Sequence, residues 1–454
     1  MIPVLTIAGS DPGGGAGLQQ DLKVFTALGA YGAAAPAALT AQDTRGVAAV
    51  APVPADFVRR QVELVLADIA PAAVKTGMLG TAEVVAAVAG ALAGRPPAAL
   101  VVDPVLASSG GVPLLADDAV AVLRERLCPL ATVVTPNLPE AEVLLGRSIP
   151  DARAMEAAAA ALRSALGCRA VLLKGGHLDD PAGAVDAWAD AEGTELLRGR
   201  RIETPHTHGT GCTLSAALAV FLARGLAPRE AARRAKAFLE RSLEQAVPVG
   251  RGRGPANPVG VLEAELSRYP VLQALEAAWR RLAAAPSRVL VPEVQINLGY
   301  ALPGARSVAD VAAFPGRIVG LGDGVARVAA PAFGASSHVA RIVLTAMRHD
   351  PECRAAMNIR HDEAFLHRAR DLGWRVAGFS RRDEPEESRR REGSTLAWGV
   401  DRAIRQAGAV PDLVHDPGDV GKEPIIRILG PDPESVVAKA LRVAGLECGG
   451  EGTA

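Results

Sequence analysis

Residues 207–212 read Thr-His-Gly-Thr-Gly-Cys, and an apolar run, 213–222, follows directly. Gly209 and Gly211 allow the backbone around Thr210 to turn so that successive N–H groups point into one space. A helix starting there adds partial positive charge to the same space. That combination suits the oxygens of a phosphoryl group in transfer. Cys212 stands at the helix mouth, where its thiol could help remove the proton of an attacking alcohol. A helix N-terminus lowers a thiol pKa from its free value of ~8.5, so partial thiolate at neutral pH is the expectation.

Four further features sit in the first half of the chain. The loop 9–17 holds Gly9, Asp11, Ala16 and five more glycine or proline residues. It is neither a Walker loop, since no Lys-Ser/Thr follows, nor a dinucleotide fingerprint, since Leu18 stands where the last glycine would be. Its place after the first apolar run makes it either a flexible turn or a substrate-facing loop. Asp103 closes an apolar run, where a carboxylate must be paired or metal-bound. Asn137 and Glu140 are close enough to serve one Mg²⁺ through water, although Glu140 equally suits a helix start. Lys174, followed by Gly175, Gly176 and His177, is a cation placed to meet a nucleotide phosphate.

The elements that must hold these residues can be read from the same pattern. Short β-branched runs at 4–8, 73–76, 100–105, 132–136 and 170–174 alternate with Ala-rich stretches. Helices are expected at 17–28, 55–66, 82–93, 117–127, 151–166 and 213–224. Such alternation predicts an α/β fold, a mostly parallel sheet with helices on both faces and chemistry at the strand C-termini. Lys75, Asp103, Asn137 and Lys174 all fall there. A Gly/Pro/Arg stretch near 247–258 closes this region. A helix over 259–285 is expected next, then a second, smaller α/β pattern with strands at 318–321 and 375–379 and a helix at 339–347. The 454 residues therefore read as two domains, 1–260 and 261–446, with a flexible tail at 447–454.

Composition excludes some classes. A net charge of −1 offers no basic surface, so no nucleic-acid partner is expected. No uncharged apolar run is long enough to span a membrane, and no membrane partner is expected. Five scattered cysteines without a CxxC pair argue for a reducing, cytoplasmic setting. The first residues read as a strand entering a glycine loop rather than as a leader peptide.

The segments TIAGSDPGGGAGLQQDLK, ALTAQDTRGV, KTGMLG, VVDPVLASSGG, TPNLPEAEVLLG, LLKGGH and THGTGCTLSAALA run from about residue 4 to 258. Together they resemble the hydroxymethylpyrimidine and phosphomethylpyrimidine kinases of thiamine synthesis, in the ribokinase-like superfamily. Sugar kinases of that superfamily usually carry Asp where Cys212 stands, and the cysteine is typical of the pyrimidine kinases. The resemblance implies two successive ATP-dependent phosphorylations of one aminopyrimidine at one site. It implies that Gln42 hydrogen-bonds the aminopyrimidine while Ala16, Met78 and Val105 pack around its ring, on the loop of Gly9 and Asp11. The amides of Gly209, Gly211 and Cys212 would hold the transferred group. Lys174, Thr210 and Asn137 would face ATP, Asp103 and Glu140 would position Mg²⁺, and the protein would be a homo-oligomer, with the kinase as a dimer.

The second half carries LVPEVQINLGYALPGA, PGRIVGLGDGV, PAFGASSHVARIVLTAM, AAMNIRHDE and DPGDVGKEPIIRILG. These resemble the ThiN domain, which implies thiamine-phosphate synthase activity: an aminopyrimidine diphosphate joins a thiazole phosphate and pyrophosphate leaves. Two polyanions require cations and backbone donors. Arg317 and His338 are the expected catalytic residues, with Arg341 one turn beyond His338 on the same face. Arg360, His361 and Lys422 supply further charge, and Asp416 and Asp419 could hold Mg²⁺ or only shape a turn. A noncatalytic ligand-sensing role for this half is the alternative. A pyridoxal or sugar kinase is the alternative for the first half.

Overall fold

The computed structural model describes residues 1–107, 110–176, 178, 183–385, 394–419 and 421–446. His177 and the expected tail 447–454 lie outside the described residues. The chain divides into two compact units, 1–263 and 264–454.

The strands of the first unit are β1 (Pro3–Ser10), β2 (Tyr31–Asp43), β3 (Gly46–Pro52), β4 (Ala73–Thr76), β5 (Ala99–Val102), β6 (Val133–Val134), β7 (Ala170–Lys174), β8 (Ala184–Asp190) and β9 (Gly193–Gly199). Its helices are α1 (Gly17–Ala27), α2 (Ala55–Asp68), α3 (Ala82–Gly94), α4 (Asp117–Val122), α5 (Leu138–Leu145), α6 (Ala152–Leu166), α7 (Thr210–Ala223) and α8 (Pro228–Glu244). The nine strands form one sheet in the order β3-β2-β1-β4-β5-β6-β7-β8-β9. From β2 to β7 neighbours are parallel, while β3, β8 and β9 are added antiparallel at the edges.

Both faces of this sheet are buried, which is why its central strands are continuous apolar runs rather than alternating ones. Successive side chains point to opposite faces. Leu5, Ile7, Val74, Val102, Val134 and Val171 pack on one side with α2, α3 and α6. Val4, Ala73, Val101, Val133 and Leu172 pack on the other with α1 and α7. The period of two then carries Thr6 in mid-strand, and Lys75, Asp103, Thr135 and Lys174 at or just past the strand C-termini, onto the α1 and α7 side. The chain thus delivers its polar residues to the place where helices α1 and α7 begin.

Two hairpins, β2–β3 and β8–β9, were not apparent from the sequence pattern. Their Ala- and Gly-rich segments carry little β propensity, and pairing to β1 and β7 overrides it.

The expected helix at 259–285 is two helices, α9 (Pro258–Leu266) and α10 (Arg268–Ala284). Pro270 lacks an N–H and so sits in the first turn of α10.

The second unit contains β10 (Leu298–Ala301), β11 (Val311–Ala313), β12 (Ile318–Leu321), β13 (Gly324–Arg327), β14 (Ala332–Phe333), α11 (Ser337–Met347), β15 (Ala355–Arg360), α12 (Glu363–Asp371), β16 (Val376–Gly378), α13 (Ser394–Ala407), β17 (Leu413–Asp416), β18 (Ile425–Gly430) and α14 (Pro433–Val443). Its main sheet runs β14-β11-β10-β15-β18-β17-β16. Among the described residues it is antiparallel except between β16 and β17. Apolar clusters lie on both sides of it, one built with α10, α12 and α14 and one with α11 and α13.

Candidate active sites

In the first unit the space of interest is the mouth of α7. Its N-cap, Gly209, has φ +73° and offers no side-chain acceptor. Thr213 N–H is the first to bond within the helix, to Gly209 O at 2.9 Å. The amides of Thr210, Gly211 and Cys212 are therefore left for a ligand. Lys174 points into the same space: a Cβ placed on Gly211 would meet its Nζ at 3.3 Å.

Asp103 holds that lysine. Lys174 Nζ donates to its Oδ1 at 2.8 Å, Thr135 Oγ1 to the same oxygen at 3.1 Å, and Ser215 Oγ to Oδ2 at 3.1 Å. Burial opposes ionisation of Asp103, but Lys174 and Lys75 outweigh it and its pKa is lowered. Glu140 and Asn137 form a reciprocal cap on α5. Asn137 N–H donates to Glu140 Oε2 at 2.7 Å, and Glu140 N–H donates to Asn137 Oδ1 at 2.9 Å. Burial raises the Glu140 carboxyl to about 7 against the pull of Lys174, with Asp103 adding to the rise.

Asp103 and Glu140, expected to position Mg²⁺, both accept hydrogen bonds from the protein, and the cation they face is Lys174. Of the two sequence readings of Glu140, the helix start describes its contacts. One expectation about Cys212 is corrected. Burial pushes its thiol up to about 11, although Lys75 and the Gly17 N–H act in the other direction. Desolvation here outweighs the helix terminus that was expected to favour a partial thiolate.

The loop after β1 is organised by Asp11, which is buried. Its carboxylate accepts the amides of Gly13 at 2.8 Å, Gly15 at 3.1 Å and Ala16 at 2.8 Å. His208 Nε2 lies 3.0 Å from Asp11 Oδ2 and 3.3 Å from Gln42 Nε2. Burial works against the Asp11 charge, but His208 and the amides lower its pKa overall. Gln42 follows a bulge in β2. Met78 is buried with its sulfur 3.0 Å from where a Cβ on Gly9 would lie. Val105 N–H bonds to Asp103 O at 2.9 Å.

So Gly9 and Met78 meet. Asp11, Ala16 and Gln42 are gathered around His208, and Asp103, Lys174 and Gly211 around the helix mouth. Sequence reasoning had not singled out His208, Thr135 or Ser215 as functional. Ser215 could have been found from helical spacing, four residues after Gly211. His208 had no comparable signal, because its partners lie 166 and 197 residues away.

In the second unit, Asn297, Phe314, Gly316, Arg317, Ala335, Ser336, Ser337 and His338 line a cavity of about 260 Å³. Arg317 adopts φ +71°, directly after Gly316 at φ +69°. A non-glycine side chain in that region is uncommon and is held by its surroundings. Here Arg317 donates to Val294 O. Asn297 braces the opposite wall, bonding Phe314 through both its amide oxygen and nitrogen at 3.1 Å.

Helix α11 opens into this cavity. Its N-cap Ser336 makes no side-chain cap bond. Burial, Arg317, Arg341, Lys422 and Arg427 all lower the His338 pKa, leaving a neutral imidazole at pH 7 among cations. Arg317 and His338 therefore share one space, and Arg341 acts on it through charge. Arg360 instead pairs with Asp362 at 3.4 Å, and His361 stacks obliquely on His415 at 5.7 Å. Asp416, one candidate Mg²⁺ holder, is buried against Arg381 at 3.0 Å and Arg427 at 2.7 Å. Asp419 forms a backbone bridge with Lys422.

Residues 11–257 match the sequence model of the phosphomethylpyrimidine kinase family, and residues 274–442 that of thiamine-phosphate synthase ThiN. The hydroxymethylpyrimidine/phosphomethylpyrimidine kinase of Haemophilus influenzae is 46% identical over 257 residues, covering 56% of this chain and 95% of that one. The thiamine biosynthesis bifunctional protein ThiED of Geobacter sulfurreducens is 49% identical over 257 residues, and the chain spans 52% of its length. Among solved structures, an ADP complex of Bacillus subtilis pyridoxal kinase is similar at a TM-score of 0.53 and 37% identity, over 57% of this chain and 97% of that one. Among the described residues no helix is long and apolar enough to cross a membrane.

Proposed function

Because the chain belongs to the phosphomethylpyrimidine kinase family, with a ThiN region after it, we propose that it is a bifunctional enzyme of thiamine synthesis. The first unit transfers a phosphoryl group from ATP to 4-amino-5-hydroxymethyl-2-methylpyrimidine, then a second one to the monophosphate. The second unit joins the diphosphate to thiazole phosphate and releases pyrophosphate.

The observation that carries the kinase reading is the bare first turn of α7 with Lys174 beside it. The amides of Gly209, Gly211 and Cys212 receive the charge that develops on the moving phosphoryl, and Lys174 meets the nucleotide phosphates. Thr210 lies beside ATP, and Asn137 holds the start of α5 at its edge. Cys212 takes the proton of the attacking alcohol. It does so as the thiolate, which Lys75 favours, after its own proton has passed to water. Gln42, fixed by His208, reads the aminopyrimidine; Gly9, Asp11, Ala16, Met78 and Val105 shape its pocket. Mg²⁺ would neutralise the ATP phosphates, and Asp103 and Glu140, whose oxygens already accept protein donors, would hold it through water.

The second reaction rests on a neutral His338 among Arg317, Arg341 and Lys422, an arrangement that neutralises a leaving diphosphate. ATP consumption with the aminopyrimidine alcohol, and pyrophosphate release with its diphosphate plus thiazole phosphate, test the two halves. Tight binding without pyrophosphate release would make the second unit a ligand sensor. The similarity to pyridoxal kinase gives a second reading of the first unit. Competition between pyridoxal and the aminopyrimidine for ATP consumption decides between them.

A further inference from the structure

Two asparagines brace the wall of the cavity in the second unit, Asn297 on it and Asn358 behind it. Along β15, Met357 and Ile359 join the cluster built with α10, α12 and α14, so Asn358 between them faces the α11 side. Leu298↔Met357 is the last pair of the β10–β15 ladder at this end. Beyond it the Asn358 side chain takes over the work of a strand. Its Oδ1 accepts the Asn297 N–H at 2.8 Å, and its Nδ2 donates to Gln295 O at 2.9 Å.

Both contacts lead on to Arg317. Asn297, only 6% exposed, clamps the N–H and the carbonyl of Phe314 at 3.1 Å, and Phe314 O accepts the Arg317 N–H at 3.2 Å. Gln295 is left-handed at φ +63°, as Arg317 is at φ +71°. Residues with side chains stay in that region only where their surroundings hold them. Ile296 and Ile318 pair between the two turns, and Gly320 N–H reaches Gln295 Oε1 at 3.3 Å. The Gln295 turn also carries Val294 O, the acceptor of the Arg317 guanidinium. Asn358 thus stands behind both ends of Arg317, its backbone through Asn297 and its guanidinium through the Gln295 turn.

From this geometry we propose that Asn358 is a positioning residue, which holds Arg317 over the cavity where a diphosphate is released. The proposal rests on the reading of Arg317 as the group that meets that diphosphate. Arg317 is exposed, and a long exposed side chain has many rotamers to lose on binding. Anchoring one N–H to Val294 O removes much of that freedom beforehand and leaves the rest of the fork for phosphate oxygens. Among the described residues Asn358 makes no hydrogen bond to α11, so the place of His338 does not depend on it.

The test uses the full-length protein and two readouts. One is pyrophosphate release from the aminopyrimidine diphosphate and thiazole phosphate, resolved into kcat and the two KM values. The other is phenylglyoxal modification of Arg317, read by mass spectrometry of its peptide, with inorganic pyrophosphate as the protecting ion. Asn358→Ala should lower kcat ~100-fold, the cost of a misplacement of about 1 Å. Half-protection of Arg317 should need ~tenfold more pyrophosphate, as for one charge-assisted hydrogen bond lost. The KM for the diphosphate should rise by as much, with that for thiazole phosphate within twofold. Reaction of His338 with diethyl pyrocarbonate within twofold of the parent shows that the unit is folded. Asn358→Asp keeps the acceptor for Asn297 and removes the donor to Gln295. It should move the same quantities in the same direction, and it carries the test if the alanine protein does not fold. Unchanged protection of Arg317 in folded variants, equal rises in both KM values, or a parent whose Arg317 pyrophosphate does not protect overturns the proposal. Weakened protection in a protein whose parent releases no pyrophosphate supports the hold of Asn358 on Arg317 and rejects the synthase reading.

Discussion

Replacing Gly209 by Ala tests the α7 mouth as the seat of phosphoryl transfer. Gly209 has φ +73°, and a Cβ there would lie 1.8 Å from the carbonyl oxygen of Gly15 and 3.0 Å from its carbon. An ordinary C···O approach is ~3.3 Å, so the two segments must part by about 1.5 Å. The left-handed backbone adds ~1–2 kcal/mol for a residue with a side chain. Gly15 cannot yield freely, because Asp11 holds its amide at 3.1 Å. The displacement therefore separates the substrate loop from the amides at the head of α7. A misplacement of ~1 Å costs on the order of 100-fold in rate, and loss of an oxyanion donor costs ~100- to 1,000-fold. Phosphorylation of the aminopyrimidine alcohol, followed as ADP formation, should fall at least ~100-fold. Pyrophosphate release by the second unit in the same preparation should be unchanged, which guards against global unfolding. Gly211→Ala is the control, since its Cβ would meet only the tip of the Lys174 side chain at 3.3 Å and Asp103 at 3.8 Å, with no backbone atom in the way. It should cost less than ~10-fold, roughly one donor's partial displacement. A Gly209→Ala enzyme within threefold of the parent, or equal losses in both variants, would refute the reasoning.

Lys174→Met leaves Asp103 charged and buried without its cation. It should lower the stability of the first unit by ~3–5 kcal/mol in urea unfolding, beyond any loss of ATP affinity. Asn137→Ala removes a helix cap and should cost ~1 kcal/mol while leaving the KM for ATP within twofold, as ATPase kinetics and thermal unfolding would show. Arg341→Gln should raise the His338 pKa, read from its imidazole proton shift, because a cation that holds the ring neutral is gone. The depressed His338 pKa also has a stability consequence. The folded state binds fewer protons than the unfolded one, so this contribution is present above the ordinary histidine value of ~6.5 and is lost as pH falls below it. Replacing Arg317 with glycine should abolish pyrophosphate release yet leave the melting temperature equal or higher, since glycine removes ~1 kcal/mol of left-handed strain.

Much of the scaffold could be read along the chain because its signals are local. The alternation of β-branched and Ala-rich runs led to the parallel core of the first sheet, and Gly-Thr-Gly-Cys led to the head of α7. Lys75, Asp103 and Lys174 were each recognisable as polar residues ending apolar runs. Period-two geometry put them on one face without help from the rest of the fold. The two edge hairpins and the break before α10 were harder, since weak propensities there are decided by the strand or helix they meet. In the second unit, Arg317 and His338 were legible beside their glycines. Arg427 was not, because an arginine inside a strand looks like a solvated charge until the fold buries it against Asp416.

The order of residues alone thus determined the local framework: which amides end a helix, which side chains share a face, and which segment carries a thiol. Tertiary structure alone decided the state of those groups. It joined His208 to Asp11 and Gln42 across 197 and 166 residues, and gave Asp103 to Lys174 across 71. Its burial of Cys212 pushed that thiol up. Desolvation and charge pairing depend on what surrounds a group in space, and residues brought together from far apart leave no periodic trace in the chain.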